Sequence, residues 1–345
     1  MVDKSDEKAF PLREAHAVVR DLLKPDPRIY WIDFLFHIAV GWTAFISALM
    51  VPPFGFLQIT AYLVAALAFY RAAIFTHELT HLKRGTFRLF RIVWNVLCGI
   101  PLLIPSFLYD GVHNDHHKRD VYGTYEDGEY IPFAVKQPVG MIGYVFLSPI
   151  LPLFFVVRFL ILAPLSWLFP PVRRFTWARA SSLTIDLGYI RPVFAIRNDQ
   201  HWRWQEFLAF VCVAGAVAAA IAGYLPKGAL FLWYAIGVLI FFINSLRTLA
   251  AHAYRNPGDQ PMSIAGQYLD SINVPGNKLT TALWTPVGLR FHALHHLFPN
   301  MPYHNLGKSH RKLTRELSDN RLYLETVRTS LWNALHRMWN EAAAR

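Results

Sequence analysis

The chain has 345 residues, of which 54% are hydrophobic and 15% aromatic, while only 17% are charged. Soluble domains run about 45–50% apolar and about 25% charged, so a disordered chain, a coiled coil and a nucleic-acid tail protein are excluded. The net charge of +11 reads as the basic face of a membrane protein, with no nucleic-acid partner, because the apolar residues lie in long charge-free runs.

Residues 1–32 form a polar arm without an apolar core, unlike a cleaved signal peptide. From Phe34 to Tyr70 there is no Asp, Glu, Lys or Arg, and the run breaks at Pro52-Pro53-Phe54-Gly55. A crossing takes about 20 apolar residues, so a hairpin of two helices is predicted near 33–51 and 55–75. Two apolar stretches then resist this scheme. Residues 91–109 carry Pro101 and Pro105, and residues 138–172 are interrupted by Pro149, Pro152, Arg158, Pro164 and Pro170. Prolines with a central arginine favour helices lying in the interface, with a third spanning hairpin over 138–172 as the alternative. The Arg- and Trp-rich stretch 173–205 is expected on the surface. A second hairpin is predicted near 206–225 and 228–250, broken at Leu225-Pro226-Lys227-Gly228.

Basic residues set the orientation. They gather in the arm (Lys4, Lys8, Arg13), after the second helix (Lys83, Arg84, Arg88) and after the fourth (Arg255, Lys278, Arg290). Both termini are therefore expected in the cytoplasm, at a bacterial inner membrane or an ER-type membrane. The expected fold is an all-α integral membrane domain over 33–312. Four transmembrane helices form two hairpins under a cytoplasmic helical cap, followed by a helical tail over 313–345. Cys98 and Cys212 sit inside apolar runs, which argues against a disulfide framework or a thiolate metal site.

The chain has 15 histidines, and most fall into three groups. His77-Glu78-Leu79-Thr80-His81 follows the second predicted helix, His113-Asn114-Asp115-His116-His117 follows the first irregular stretch, and His292-Ala293-Leu294-His295-His296 lies beyond the fourth helix. Residues three and four apart share a helix face, so each group can aim imidazoles at one place. Three such clusters on one side of a membrane point to shared metal. Neutral imidazole suits Zn, Cu, Fe and Ni. Eight histidines exceed what one ion takes and fit two, an arrangement suited to dioxygen chemistry at iron. Glu78, Asp115 and Asp270 are candidates to orient ligating rings from behind. His304 reads as a loop residue, and His16, His37, His201, His310 and His336 as structural.

These three groups resemble the histidine boxes HxxxH, HxxHH and HxxHH of the membrane fatty acid desaturase superfamily, in the same order and at the same place relative to the helices. The continuation His295-His296-Leu297-Phe298-Pro299 with Pro302-Tyr303-His304 resembles the acyl-lipid branch, and the resemblance spans roughly residues 30–312. It implies a ninth ligand at the end of the fourth helix, which His252 matches. Acyl-CoA desaturases carry an Asn four residues before that histidine to hold a water on one metal. Here Thr248 stands in its place, and the nearest Asn is Asn244.

The resemblance implies an oxidase holding two iron ions (Fe2+) and using O2 as co-substrate. The nine ligands would be His77, His81, His113, His116, His117, His252, His292, His295 and His296. The product is expected to be a double bond in a fatty acyl chain carried as a lipid, acyl-CoA or acyl-ACP. Hydroxylation is the alternative within the superfamily. Electrons would come from an external donor such as ferredoxin or cytochrome b5, drawn to the basic face. The stretch 91–109 is expected to wall the acyl tunnel, with Gly99 as a gauge of chain length. Two other classes compete. His77-Glu78-x-x-His81 is also the helix motif of a zinc protease, and a metal transporter would use histidine too. Each leaves part of the histidine set unexplained.

Overall fold

The computed structural model describes residues 10–82, 85, 87–192, 201–258 and 260–344. Lys4, Lys8, Lys83, Arg84 and part of the Arg- and Trp-rich stretch (193–200) lie outside the described residues. Among the described residues the fold is helical, with only isolated β-bridges.

Helix α1 (Leu12–Val19) precedes the long helix α2 (Pro27–Met50). Asp26 starts α2 by accepting the Arg28 backbone N–H at 3.0 Å, with Pro27 pre-set for the first turn. The chain turns at Pro52–Gly55, where the Gln58 side chain accepts from Phe54 N at 2.8 Å and donates to Ala48 O at 2.9 Å. Helix α3 (Phe56–His81) then returns through the centre of the molecule. Gly41 lets α2 lie against it: a Cβ there would come within 2.7 Å of the Phe69 ring. The helix was expected to stop near residue 75, but it continues through the first histidine group. Its last turn is held by Leu82 N to Glu78 O and by Asn114 Nδ2 donating to Thr80 O.

The stretch after α3 holds α4 (Arg88–Trp94), a π-turn over Asn95–Gly99 and a short 3-10 turn at Ser106–Leu108. Helix α5 (Val112–His116) carries the second histidine group, and α6 (Val139–Phe146) leads into α7 (Leu151–Val157). A π-turn over Arg158–Leu162 joins α7 to α8 (Ala163–Leu168), making one continuous element, and α9 (Pro170–Ala180) follows. Helices α10 (His201–Ile221) and α11 (Lys227–Leu249) form the second hairpin, turning at Gly223 with φ 80°.

Among the described residues, five helices are long and apolar enough to cross a membrane: Pro27–Met50, Phe56–His81, Leu151–Leu168, His201–Ile221 and Gly228–Leu249. Four were expected. The additional element falls where the prolines and Arg158 suggested interfacial helices. Arg158 does not reach for the surface. It is fully buried, and donates to Glu206 Oε2 of α10 at 2.6 Å and to Ala180 O at 2.8 Å. Arg173 and Trp167 donate to the other Glu206 oxygen, each at 2.8 Å. Satisfied by this partner, an arginine is compatible with an apolar helix. Pro164 is tolerated because it lies in the first turn after the π-turn, where the helical ladder is already offset.

The remaining helices α12 (Ile264–Leu269), α13 (Lys278–Trp284), α14 (His292–Leu297), α15 (Tyr303–Glu316), α16 (Arg321–Glu325) and α17 (Leu331–Ala343) form a cap at one end of the bundle. The expected boundary at residue 312 falls inside α15, and the terminal segments are tied to the cap. Lys312 pairs with Asp21 at 2.9 Å, and Arg255 pairs with Glu341 of α17 at 2.7 Å.

Candidate metal centre

The first two ligands come from the last turn of α3. His77 is buried, and its ring centroid lies 5.2 Å from that of His81 one turn on. On α5, His113 and His117 stand one turn apart with Nε2 atoms at 3.1 Å, while His116 points about 60° round the helix. On α14, His292 and His296 stand one turn apart with Nε2 atoms at 3.2 Å, and His295 is the offset residue. The HxxHH spacing thus divides each group between two places.

The structure realises that division. Ligand atoms of His77, His81, His113 and His295 lie within 4.8 Å of one another, and so do those of His116, His252, His292 and His296. His117 joins the first set, its Nε2 being 3.0 Å from His295 Nε2. The sets are neighbours, with the His117 and His296 ring centroids 4.4 Å apart. The His252 and His292 Nε2 atoms are 2.9 Å apart. Nitrogens bonded to one ion at about 2.0–2.1 Å stand about 2.9–3.4 Å from each other, which is the spacing seen.

For three of the rings, the nitrogen that faces inward is fixed from behind. His116 Nδ1 donates to Asp127 Oδ2 at 2.8 Å, and His113 Nδ1 meets Glu129 Oε2 at 2.5 Å and Tyr109 Oη at 3.0 Å. His252 Nδ1 meets Tyr122 Oη at 2.9 Å and Ser271 Oγ at 3.0 Å. Such partners leave the Nε2 lone pair free for a metal. The β-bridge between His252 and Ser271 holds that loop in place. Asn273 Oδ1 accepts from Leu294 N at 3.1 Å and anchors the start of α14.

Burial, and then their crowding together, pushes His113, His117, His252, His292, His295 and His296 well below the ordinary imidazole value. They are held neutral, the form that binds a metal. His116 differs. Burial opposes its charge, but the neighbouring Asp127 carboxylate outweighs that and raises it. Burial lifts the Glu129 carboxyl to about 7 and that of Asp270 to about 6. Several ring nitrogens are buried with no hydrogen-bond partner, among them both nitrogens of His77 and Nε2 of His81. Unpartnered buried nitrogens at these separations fit a pair of metal ions.

The other candidate residues fall in different places. Asp270 accepts from Tyr130 Oη at 2.6 Å and from Tyr122 Oη at 3.4 Å, so it acts on His252 through a tyrosine. Glu78 accepts from Tyr30 Oη at 2.7 Å and from Tyr303 N at 3.3 Å, and stands 3.7 Å from His77 Nδ1. It is not aimed at the ligand cluster as a protease base would be. Asp115 faces away from the centre and pairs at 2.6 Å with Lys118, whose side chain is 56% exposed. Asp127, Glu129, Tyr122, Tyr109 and Ser271 were not anticipated. They lie on irregular segments with no periodic signal.

A cavity of about 350 Å³ opens onto the centre, with His77, His113, His116, His252 and His292 at one end. Thr248 and Asn244 both line it. Its apolar wall includes Ile74, Leu102, Ile104, Phe154, Phe155, Trp233, Ile240 and Phe241. The stretch 91–109 thus contributes through Leu102 and Ile104. Gly99 does not line the cavity; it packs against Trp94, where a Cβ would lie 2.6 Å from the indole.

Nine buried or nearly buried histidines, arranged as two adjacent all-nitrogen sets at the end of a bundle of apolar helices and facing an apolar cavity, define a membrane protein with two sets of side chains that could each hold a metal ion. The chain belongs to the fatty acid desaturase family: the family model, described as fatty acid desaturase, matches residues 53–327. It is 40% identical over 331 residues to a protein of Caulobacter vibrioides (strain NA1000 / CB15N) named ceramide hydroxylase, covering 94% of this chain and 91% of the relative. No solved structure gives a significant match.

Proposed function

We propose that the protein is a di-iron, O2-dependent membrane hydroxylase that places a hydroxyl group on a long-chain amide lipid of the ceramide kind. The double-bond product expected first from the histidine groups gives way to the hydroxylase alternative, because the relative that matches nearly the whole chain bears that name. The observation that carries the reading is the paired histidine sets at the end of the lipid-sized cavity. In the overall reaction one oxygen atom of O2 enters a C–H bond and the other leaves as water, using two protons and two electrons from an external donor. Iron bound in the two sets supplies the activation of O2.

The chain's own residues do the rest. Asp127 and Glu129 fix the tautomers of His116 and His113, and Tyr122 and Ser271 that of His252. Ile74, Phe155 and Phe241 line the cavity, holding the lipid chain and keeping water away. Arg290, Lys308 and Arg311 border a separate hollow beside the cap and offer a basic surface to an acidic donor such as ferredoxin or cytochrome b5. Both termini are assigned to the cytoplasm on the distribution of Lys and Arg.

The test is expression in a host that makes ceramide, with a matched electron donor, followed by mass spectrometry of the lipids. Gain of one oxygen atom supports the reading. Loss of two hydrogens returns the reaction to desaturation, and one zinc per chain in the purified protein would remove the oxidase reading.

A further inference from the structure

The hydroxylase reading leaves a cation beside the ligand set without a task. Arg247 lies in the last turn of α11, five residues before His252, and lines the cavity beside His252 and His292. Its Nη2 donates to Asn244 Oδ1 at 3.0 Å, and its Nε is buried with no partner. Among the described residues no carboxylate pairs with it, although Arg71, Arg158, Arg173 and Arg255 all have one. A cation in an apolar helix next to a site built for divalent cations is expensive unless an electronegative group reaches it.

The cavity is polarised along α11. Trp233, Gly237, Ile240 and Phe241 line its far part, while Asn244 and Arg247 stand at the metal end. From Trp233 to Arg247 is about 21 Å along the helix. A chain oxidised in its middle would press methylenes against the guanidinium and leave the buried Nε without a partner. A lipid whose oxygen-bearing head stops at Arg247 satisfies it and sends its tail towards Gly237.

We infer that Arg247, positioned by Asn244, holds the carbonyl oxygen of the substrate lipid, and that the carbon hydroxylated is the one next to that carbonyl or its immediate neighbour. The planar guanidinium offers a fork of donors that suits an amide or a carboxylate oxygen. The inference rests on the hydroxylase reading, and its test separates the two.

The first readout is binding to the purified full-length protein in detergent, with palmitamide, palmitate and hexadecane as probes. The Arg247→Met variant is expected to bind palmitamide about tenfold or more weakly, as for a lost hydrogen bond to a charged group, and hexadecane as well as the original protein does. Tighter binding of palmitate than of palmitamide assigns the carbonyl to a free acid; the reverse assigns it to an amide lipid. Equal palmitamide binding by variant and original overturns the inference. Arg247→Lys, which keeps the charge and removes the fork, is read in the same way should the Met variant not fold. The second readout is the position of the hydroxyl group in the lipid product of the original protein. An alcohol in the middle of the chain overturns this inference and leaves the hydroxylase reading standing, whereas an alkene overturns the hydroxylase reading itself.

Discussion

Replacing Asp127 by Asn should empty one metal set and spare the other. Asp127 is 1% exposed and each of its oxygens is in use. Oδ2 accepts from His116 Nδ1 at 2.8 Å and from Gly123 N at 2.9 Å, and Oδ1 accepts from Glu129 N at 2.9 Å. Asparagine keeps the shape but has one acceptor atom. If its oxygen faces His116, its NH2 opposes the Glu129 N–H. If its NH2 faces His116, the ring must carry its proton on Nε2, and the lone pair aimed at the metal is lost. Either way the negative charge that raises His116 is gone. Loss of such a partner typically weakens metal affinity 10–100-fold, about 1.4–2.7 kcal/mol. The assay is iron content after a graded chelator challenge of the purified protein. The original chain should hold two ions through a window in which Asp127→Asn holds one, in the set of His77, His81, His113, His117 and His295. Asp115→Asn, which alters only a surface pair with Lys118, should match the original. A variant that keeps both ions through the same challenge would refute the argument that Asp127 prepares His116.

Further outcomes are expected elsewhere. Gly237→Leu should shift the accepted lipids towards shorter tails, because Gly237 lines the cavity and its Cβ position is already closed on one side by Pro152 at 3.1 Å, which leaves an added side chain the lipid space; chain-length profiles of product lipids check this. Gly99→Val should lower folded yield without moving the position of oxidation, since the added atoms meet Trp94 rather than the lipid; detergent-exclusion chromatography with product analysis reads both. Arg158→Met should cost about 1.5–3 kcal/mol, as for a lost hydrogen bond to a charged group, because Glu206 keeps Arg173 and Trp167 but loses Arg158; this is read as a lower thermal unfolding midpoint, and an unchanged midpoint would count against the buried pair as a clamp.

What could be read from the chain follows from how local each signal is. The histidine groups were legible because HxxxH and HxxHH put their meaning within one turn of helix. The hairpins were legible because charge-free runs and Pro-Gly breaks are local as well. His252 has no clustered neighbour and entered only through the family resemblance. Asp127 and Glu129 lie 11 and 16 residues from the rings they hold, in an irregular segment where nothing distinguishes them from other carboxylates. The element over Leu151–Leu168 was left between an interfacial and a spanning reading for the same reason. Its Arg158 looks like a reason to stay at the surface until Glu206 is seen beside it, 48 residues further along. Asp115 shows the opposite error: it sits between ligands in sequence, yet its helix turns it outward.

That separation bears on how the protein is made. A nascent chain presents Arg158 before Glu206 exists, and burying an arginine without its partner is strongly unfavourable. Residues 151–168 are therefore expected to settle into the bundle only once α10 has emerged and brings the counter-charge. Truncating the message between codons 168 and 206 should therefore leave that segment accessible to water-soluble labelling reagents.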